Sequence, residues 1–338
     1  MGRRRPYTAR MRFAPGFLLG LTMLLASGTS EAATTLKIGT LAPQDSPWGR
    51  EFKAWAAAVA SDTGGDVTLD FAWNGQAGDE KLMVEKIRSG QLDGAAVTAI
   101  GLAQTGVTDV LLFQMPGLFA NWGKLDAVRD AMRPDFDQQF QSKGFTVLGW
   151  GDVGAAKTMS IGFEVHHPAD LQGKNCSFIA GDPIGPALFA AIGGITAKEV
   201  TVPEILPNLK NGSIQVITVP PLAAEQLQWA STMTHINTLT TGFGIGAIIV
   251  SSSRVQGLPQ NLREVLTHRG REAAERLTRT IRNLDAQSFA RLKGSKTVYE
   301  PNDGEKQEWR DLFAKVRAQL RGSVFTQAVF DKAVGLAQ

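Results

Sequence analysis

Two stretches of this chain run strand, helix, strand, helix, strand with only short turns between, and that order restricts the fold more than any other feature. In the first, Thr35 to Thr40 alternates like a strand, and Trp48 to Ser61 follows as a helix with Pro47 at its first position and Ser46 as N-cap. Val67 to Trp73 is the second strand, and the turn Asn74-Gly75-Gln76-Ala77-Gly78 closes it. Asp79 to Ser89 is a helix with Leu82, Val84 and Ile87 on its apolar face; Gly90 stops it, and Leu92 to Thr98 is the third strand. The second unit has strands at Lys174 to Ile179, Ile195 to Lys198 and Ile214 to Val219, with helices at Pro183 to Ile192 and Val202 to Lys210. Alternation of this kind builds a parallel sheet with helices on its faces. Open parallel sheets bind ligands at the carboxyl ends of their strands, so two such units facing one another make a cleft.

Between the units the pattern gives a helix from Gly123 to Lys143 and a strand from Gly144 to Trp150. After them come a long apolar strand, Phe243 to Ser251, and an amphipathic helix from Asn261 to Leu292. A helix of about 30 residues is about 45 Å long, enough to brace two lobes. Shorter helices at Gly304 to Leu320 and Val324 to Leu336 end the chain. The expected class is α/β, with two lobes joined by crossing hinge strands and backed by the long helix. Residues 33–152 and a return segment, 243–338, form lobe 1; residues 153–242 form lobe 2.

The first 32 residues read as a secretory signal peptide: Arg3, Arg4, Arg5, Arg10 and Arg12, then the apolar run Phe17 to Ala26, then Ala32-Ala33 as the cleavage site. That run is shorter than the roughly 20 residues a membrane span needs. These residues hold five arginines and one glutamate, leaving 30 basic against 31 acidic side chains in the remainder, so the basic balance of the whole chain belongs to the leader and asks for no nucleic-acid partner. Cys176 is the single cysteine, which excludes an internal disulfide. The four histidines, of which only His166 and His167 are adjacent, give no metal spacing, and no dinucleotide or phosphate-loop motif is present. No cofactor is expected.

Several weak motifs occur in a telling order: Leu41-Ala42-Pro43-Gln44-Asp45-Ser46-Pro47-Trp48-Gly49; Asn74-Gly75-Gln76-Ala77-Gly78-Asp79-Glu80 with Gly90-Gln91-Leu92-Asp93; Gly144 to Trp150; Pro168-Ala169-Asp170-Leu171-Gln172-Gly173-Lys174; and Pro220-Pro221-Leu222-Ala223-Ala224. Together they resemble the substrate-binding subunits of TRAP transporters, the DctP family. The resemblance implies a periplasmic, non-enzymatic receptor that closes on a small solute and delivers it to TRAP membrane subunits. It also implies two carboxylate-binding arginines, at places where this chain has Ala156 and Ser177. Serine cannot reproduce the paired charge-assisted hydrogen bonds of a guanidinium. The missing arginine and the Gly181-Asp182-Pro183 turn are similar to a branch associated with a tetratricopeptide-repeat partner. That implies a hydrophobic, lipid-like ligand and a helical-repeat protein as a further partner.

Candidate ligand-binding residues are the aromatic and apolar groups Trp48, Trp73, Trp122, Trp150, Pro221, Trp229 and Phe243, with Asn74, Gln76, Asp152, Ser177 and Asp182 as polar contacts. Asp182, just before Pro183, also fits a helix cap. A second reading keeps the receptor but has Arg50 or Lys157 hold an ordinary organic acid such as a C4-dicarboxylate. A third makes Asp152 and Asp182 the acid-base pair of a hydrolase, which requires the carboxylates about 5 to 9.5 Å apart.

Overall fold

The computed structural model describes residues 1–3, 6, 8 and 33–338, so the apolar run expected to be the core of a signal peptide lies outside the described residues. In chain order the first half contains β1 (Thr34–Thr40), α1 (Pro47–Asp62), β2 (Val67–Ala72), α2 (Glu80–Arg88), β3 (Gly94–Thr98), α3 (Ala99–Ala103), α4 (Trp122–Ser142) and β4 (Phe145–Ser160). Next come β5 (Asn175–Ile179), α5 (Ile184–Ile192), β6 (Thr196–Val200), α6 (Val202–Lys210), β7 (Val216–Val219), α7 (Pro221–Gln226) and β8 (His235–Asn237). The chain ends with β9 (Gly242–Ser251), α8 (Ser252–Gln256), α9 (Gln260–Lys293), β10 (Thr297–Tyr299), α10 (Asp303–Leu320) and α11 (Gln327–Ala337). None of the described helices is long and apolar enough to cross a membrane.

The fold is the expected two-lobed α/β one, with a mixed sheet in the order β2-β1-β3-β9-β4-β7-β5-β6. Strand β1 is parallel to β2 and β3, and β5 is parallel to β6 and β7. Strands β4 and β9 run antiparallel to each other in the middle. The first part of β4 pairs with β9; its last four residues, Lys157 to Ser160, pair with β7. One continuous strand therefore belongs to both halves of the sheet.

Helix starts follow the local chemistry. Ser46 Oγ accepts from the Gly49 N–H, and Asp79 Oδ1 from the Leu82 N–H, each satisfying an otherwise unpaired first-turn donor. The apolar faces then sort by side of the sheet. Trp48, Phe52, Trp55, Leu148, Leu266 and Ile281 pack between the sheet, α1 and α9, whereas Phe113, Phe136, Phe140, Phe145 and Trp150 pack on the α4 side.

Two differences from the sequence reading bear on the site. Strand β4 does not end at Trp150 but continues for 16 residues in all, since Gly149, Gly151 and Gly154 lie within the ladder rather than ending it. Two short helices are additions that the sequence pattern does not assign: α3, directly after Thr98, and α7, opened by Pro221.

The long helix α9 is pressed directly on β4. A Cβ on Gly149 would lie 2.4 Å from Cβ of Ala274 and 2.8 Å from the Gly270 carbonyl oxygen, so backbone meets backbone there. About three turns further along α9, Asp285 is 5% exposed and accepts from the N–H groups of Ala155 and Leu222, both at 2.9 Å. Replacing Asp285 with Ala strips two buried donors of their acceptor and should lower unfolding stability by about 2–4 kcal/mol. Urea unfolding checks this; an unchanged midpoint would mean that Asp285 does not fasten α9 to the strand.

Candidate functional site

The carboxyl ends of the parallel strands meet around one cavity of about 360 Å³, bordered by Thr40 of β1, Thr98 of β3, Ile179 of β5 and Val219 of β7. This is where an open α/β sheet offers space, because the connections leave opposite strand ends free of side-chain filling. Aromatic walls come from Trp48, Phe52, Phe178, Phe189, Trp229 and Phe243. Gly242, Gly244 and Gly246 of β9 give one wall a bare backbone surface. Among the described residues, no lysine, arginine or histidine borders the cavity, and its ionisable neighbours are Glu80, Asp152 and Asp182.

These three carboxylates differ in state. Asp152 has a fully enclosed side chain, bonded at 2.7 Å to Nη1 of Arg129 and at 2.5 Å to Nε of Arg282. Asp126 completes the network, accepting from Arg129 and from both Nη atoms of Arg282; the two guanidinium groups hold its carboxyl below the usual range. Glu80 accepts from the Thr98 N–H (2.6 Å), the Thr98 hydroxyl (2.7 Å) and the Gly101 N–H (2.8 Å). Asp182 accepts from the N–H groups of Ile184 (2.9 Å) and Gly185 (3.2 Å), at the start of α5. Loss of water raises the pKa of both Glu80 and Asp182 against the lowering effect of those hydrogen bonds.

Six of the twelve residues expected from sequence border the cavity: Trp48, Asp152, Ser177, Asp182, Trp229 and Phe243. Asp152 does so with its backbone, whose carbonyl accepts from Trp48 Nε1 at 3.4 Å, while its carboxylate is turned into the arginine network. It therefore does not serve as an acceptor in the cleft, and the acid-base pair of a hydrolase is left with one committed member. Ser177 Oγ donates weakly to the Val216 carbonyl at 3.4 Å.

The other six lie elsewhere. Trp150 sits between Gly149 and Gly151, both of which border the cavity; strand alternation turns its ring to the opposite face, where Nε1 donates to Asp137. Trp122 packs at a tilt against Phe243, with ring centroids 4.4 Å apart, and carries the Arg282 guanidinium over its ring, behind the cavity wall. Trp73 stacks on Phe71, Asn74 and Gln76 form the turn after β2, and Pro221 leaves its place at the wall to Pro220. Sequence reasoning missed Glu80, Phe178, Phe189 and Thr98. Glu80 follows Asp79 in a helical first turn, and nothing in its spacing separates it from an ordinary dipole-complementing acid.

Neither expected substitute for the missing arginines reaches the cavity. Arg50 is exposed and donates to the Asp45 carbonyl. Lys157 is buried, donates from Nζ to the Thr238 carbonyl (2.7 Å) and Thr240 Oγ1 (2.6 Å), and lies over the Phe289 ring. Burial depresses its pKa to about 8.

Replacing Asp152 with Asn leaves two guanidinium groups facing a neutral amide and should lower stability by about 3–5 kcal/mol. Replacing Asp182 with Asn keeps a capping oxygen and should change it by less than about 1 kcal/mol; equal losses in urea unfolding would overturn this division of roles. The depressed Lys157 means that, between pH 8 and the ordinary lysine value of 10.5, the unfolded chain binds more protons than the folded one, so this residue makes stability rise with pH across that window. Lys157→Met should flatten that rise, and a rise of equal slope in the variant would assign it to other groups.

Residues 38–321 match the model of the DctP family, described as bacterial extracellular solute-binding protein, family 7. An uncharacterized protein, y4mM, of Sinorhizobium fredii is 26% identical over 186 residues, 55% of this chain but 34% of that longer protein. The C4-dicarboxylate-binding periplasmic protein DctP of Rhodobacter capsulatus is 21% identical over 320 residues, covering 93% of this chain and 95% of its own. A TRAP periplasmic solute-binding protein from Ralstonia eutropha, crystallised with (S)-2-acetolactate, superposes with a TM-score of 0.83 at 19% identity over 90% of this chain and 98% of that one. With the family model spanning most of the chain, from β1 to the end of α10, this protein belongs to the DctP family of bacterial extracellular solute-binding proteins.

Proposed function

We propose that this protein is the periplasmic receptor of a TRAP-type secondary transporter and that its ligand is apolar or amphipathic rather than an ordinary organic acid. The observation that carries this reading is the cavity wall, which is mostly aromatic and aliphatic and, among the described residues, has no cationic side chain. An organic anion of the kind named for the Ralstonia and Rhodobacter relatives would enter it without a counter-charge, and a buried unpaired charge is costly. Ser177 borders the cavity at the position where the family resemblance implies an arginine, and Ala156 borders it where a second is implied. Arg50 and Lys157 are committed to backbone carbonyls away from it, which weighs against the organic-acid alternative.

Within this reading, residues 1–32 are the export signal, residues 33–152 with 243–338 form lobe 1, and residues 153–242 form lobe 2. Support for the boundaries comes from the ladder of β4 and β9, which shifts register between Asp152 and Gly154 and ends where Ala156 faces Gly242. Closure would then be a hinge motion about these two strands, driven by a ligand that touches both lobes at once. TRAP membrane subunits are the proposed recipients of the ligand. A tetratricopeptide-repeat protein is proposed as a further partner on the resemblance of the Gly181-Asp182-Pro183 turn, the Pro220-Pro221-Leu222-Ala223-Ala224 segment and the vacant arginine position.

Native mass spectrometry of protein purified without refolding should retain an apolar or amphipathic molecule; a co-purified dicarboxylate or sugar acid would sink the reading. Ser177→Arg should place an unpaired charge in the wall, lowering stability by about 3 kcal/mol and weakening ligand retention. Improved retention of a carboxylate with no loss of stability would instead assign an acid site.

A further inference from the structure

Resting on the receptor reading above, we propose that the cavity selects by charge and that its ligand is a cationic amphipath, an apolar body bearing an ammonium-type head held by Glu80 and Asp182. Both residues border the cavity, and the segments that position their carboxylates touch. A Cβ on Gly181 would lie 2.8 Å from Nε2 of Gln104 and 3.7 Å from Cγ2 of Ile100, so the turn carrying Asp182 touches α3, the helix whose Gly101 N–H donates to Glu80. Ile100 itself borders the cavity.

Neither carboxylate has a cationic partner among the described residues; their hydrogen bonds come from backbone N–H groups and one threonine hydroxyl. Asp152 differs, because Arg129 and Arg282 answer its charge from behind the wall. The N–H groups that could have held a bound anion here already hold the protein's own carboxylates. An incoming anion would meet two like charges and no free donor end. An incoming ammonium would meet two acceptors poorly served by water, where electrostatic attraction is strongest. Phe178 lies against the first turn of α5, with its Cβ 2.6 Å from where a Cβ on Gly185 would stand, and places an aromatic ring beside Asp182 to face a cationic head.

The test uses the full folded chain, freed of co-purified ligand, with three probes that share one apolar body: octylammonium, octanol and octanoate, each below its aggregation concentration at pH 7. Calorimetric titration should give octylammonium at least about tenfold tighter than octanol, with octanoate weakest of the three. Asp182→Asn and Glu80→Gln keep a capping oxygen, and each should shrink the advantage of octylammonium over octanol by about tenfold while octanol binding holds. Octanol equal to octylammonium, or octanoate tighter than either, overturns the charge selectivity and leaves the apolar-cavity reading standing. If all three fail to bind and a dicarboxylate does bind, both readings fall. Should a variant not fold, the order of the three probes on the unaltered chain decides the matter.

Discussion

Helix α9 lies on β4 with glycine facing glycine, and the geometry of the cleft follows from that contact. Gly149 and Gly270 let the two backbones approach too closely for any side chain to stand between them. Asp285 then fixes the helix to Ala155 in β4 and to Leu222 in α7, joining strand and helix through one side chain. Arg282, on the same helix, reaches Asp152 and Asp126 and so ties β4 to α4 as well. A strand shared by two halves of a sheet would bend freely if unsupported; one helix of 34 residues, pinned at these points, restricts where it can bend.

The charges of the molecule are divided accordingly. Arginines that could serve a ligand are spent behind the wall on aspartates that hold the frame, and the lysine nearest the strand crossing is spent on the Thr238 and Thr240 loop. What remains beside the cavity is carboxylate, aromatic ring, aliphatic side chain, bare glycine backbone and the neutral polar groups of Thr40, Thr98, Gln114, Ser177, Thr218 and Thr241. Such a lining is mostly apolar, with a small number of polar groups that can orient a ligand.

Much of this architecture was legible in the sequence because strand-helix alternation is a local pattern, and the turns at Asn74-Gly75 and Gly90 mark its limits. Where reading failed, the information was not local. The strand reading stops at Trp150, yet β4 continues through Gly151 and Gly154, and Gly149, Gly151 and Gly154 stand where α9, more than 100 residues later, leaves no room for a side chain. Half of the expected site residues, Trp150 among them, were placed by their position near strand ends, but which face a side chain takes depends on register, and a shift of one residue reverses it. Asp182 was legible as both cap and cavity group, since Asp before Pro announces a helix start. Glu80 was not, because its partners, Thr98 and Gly101, become its neighbours only when α2 and α3 are folded against β3.

Glu80 and Asp182 border the cavity and, with the same oxygen atoms, accept from N–H groups in the first turns of α3 and α5. Only an exchange that leaves an oxygen in the same place, carboxylate to amide, separates the two jobs. An arginine gained at Ser177 alone would leave both carboxylates beside the cavity, so a change of charge there takes coordinated substitutions at Glu80, Asp182 and Ser177.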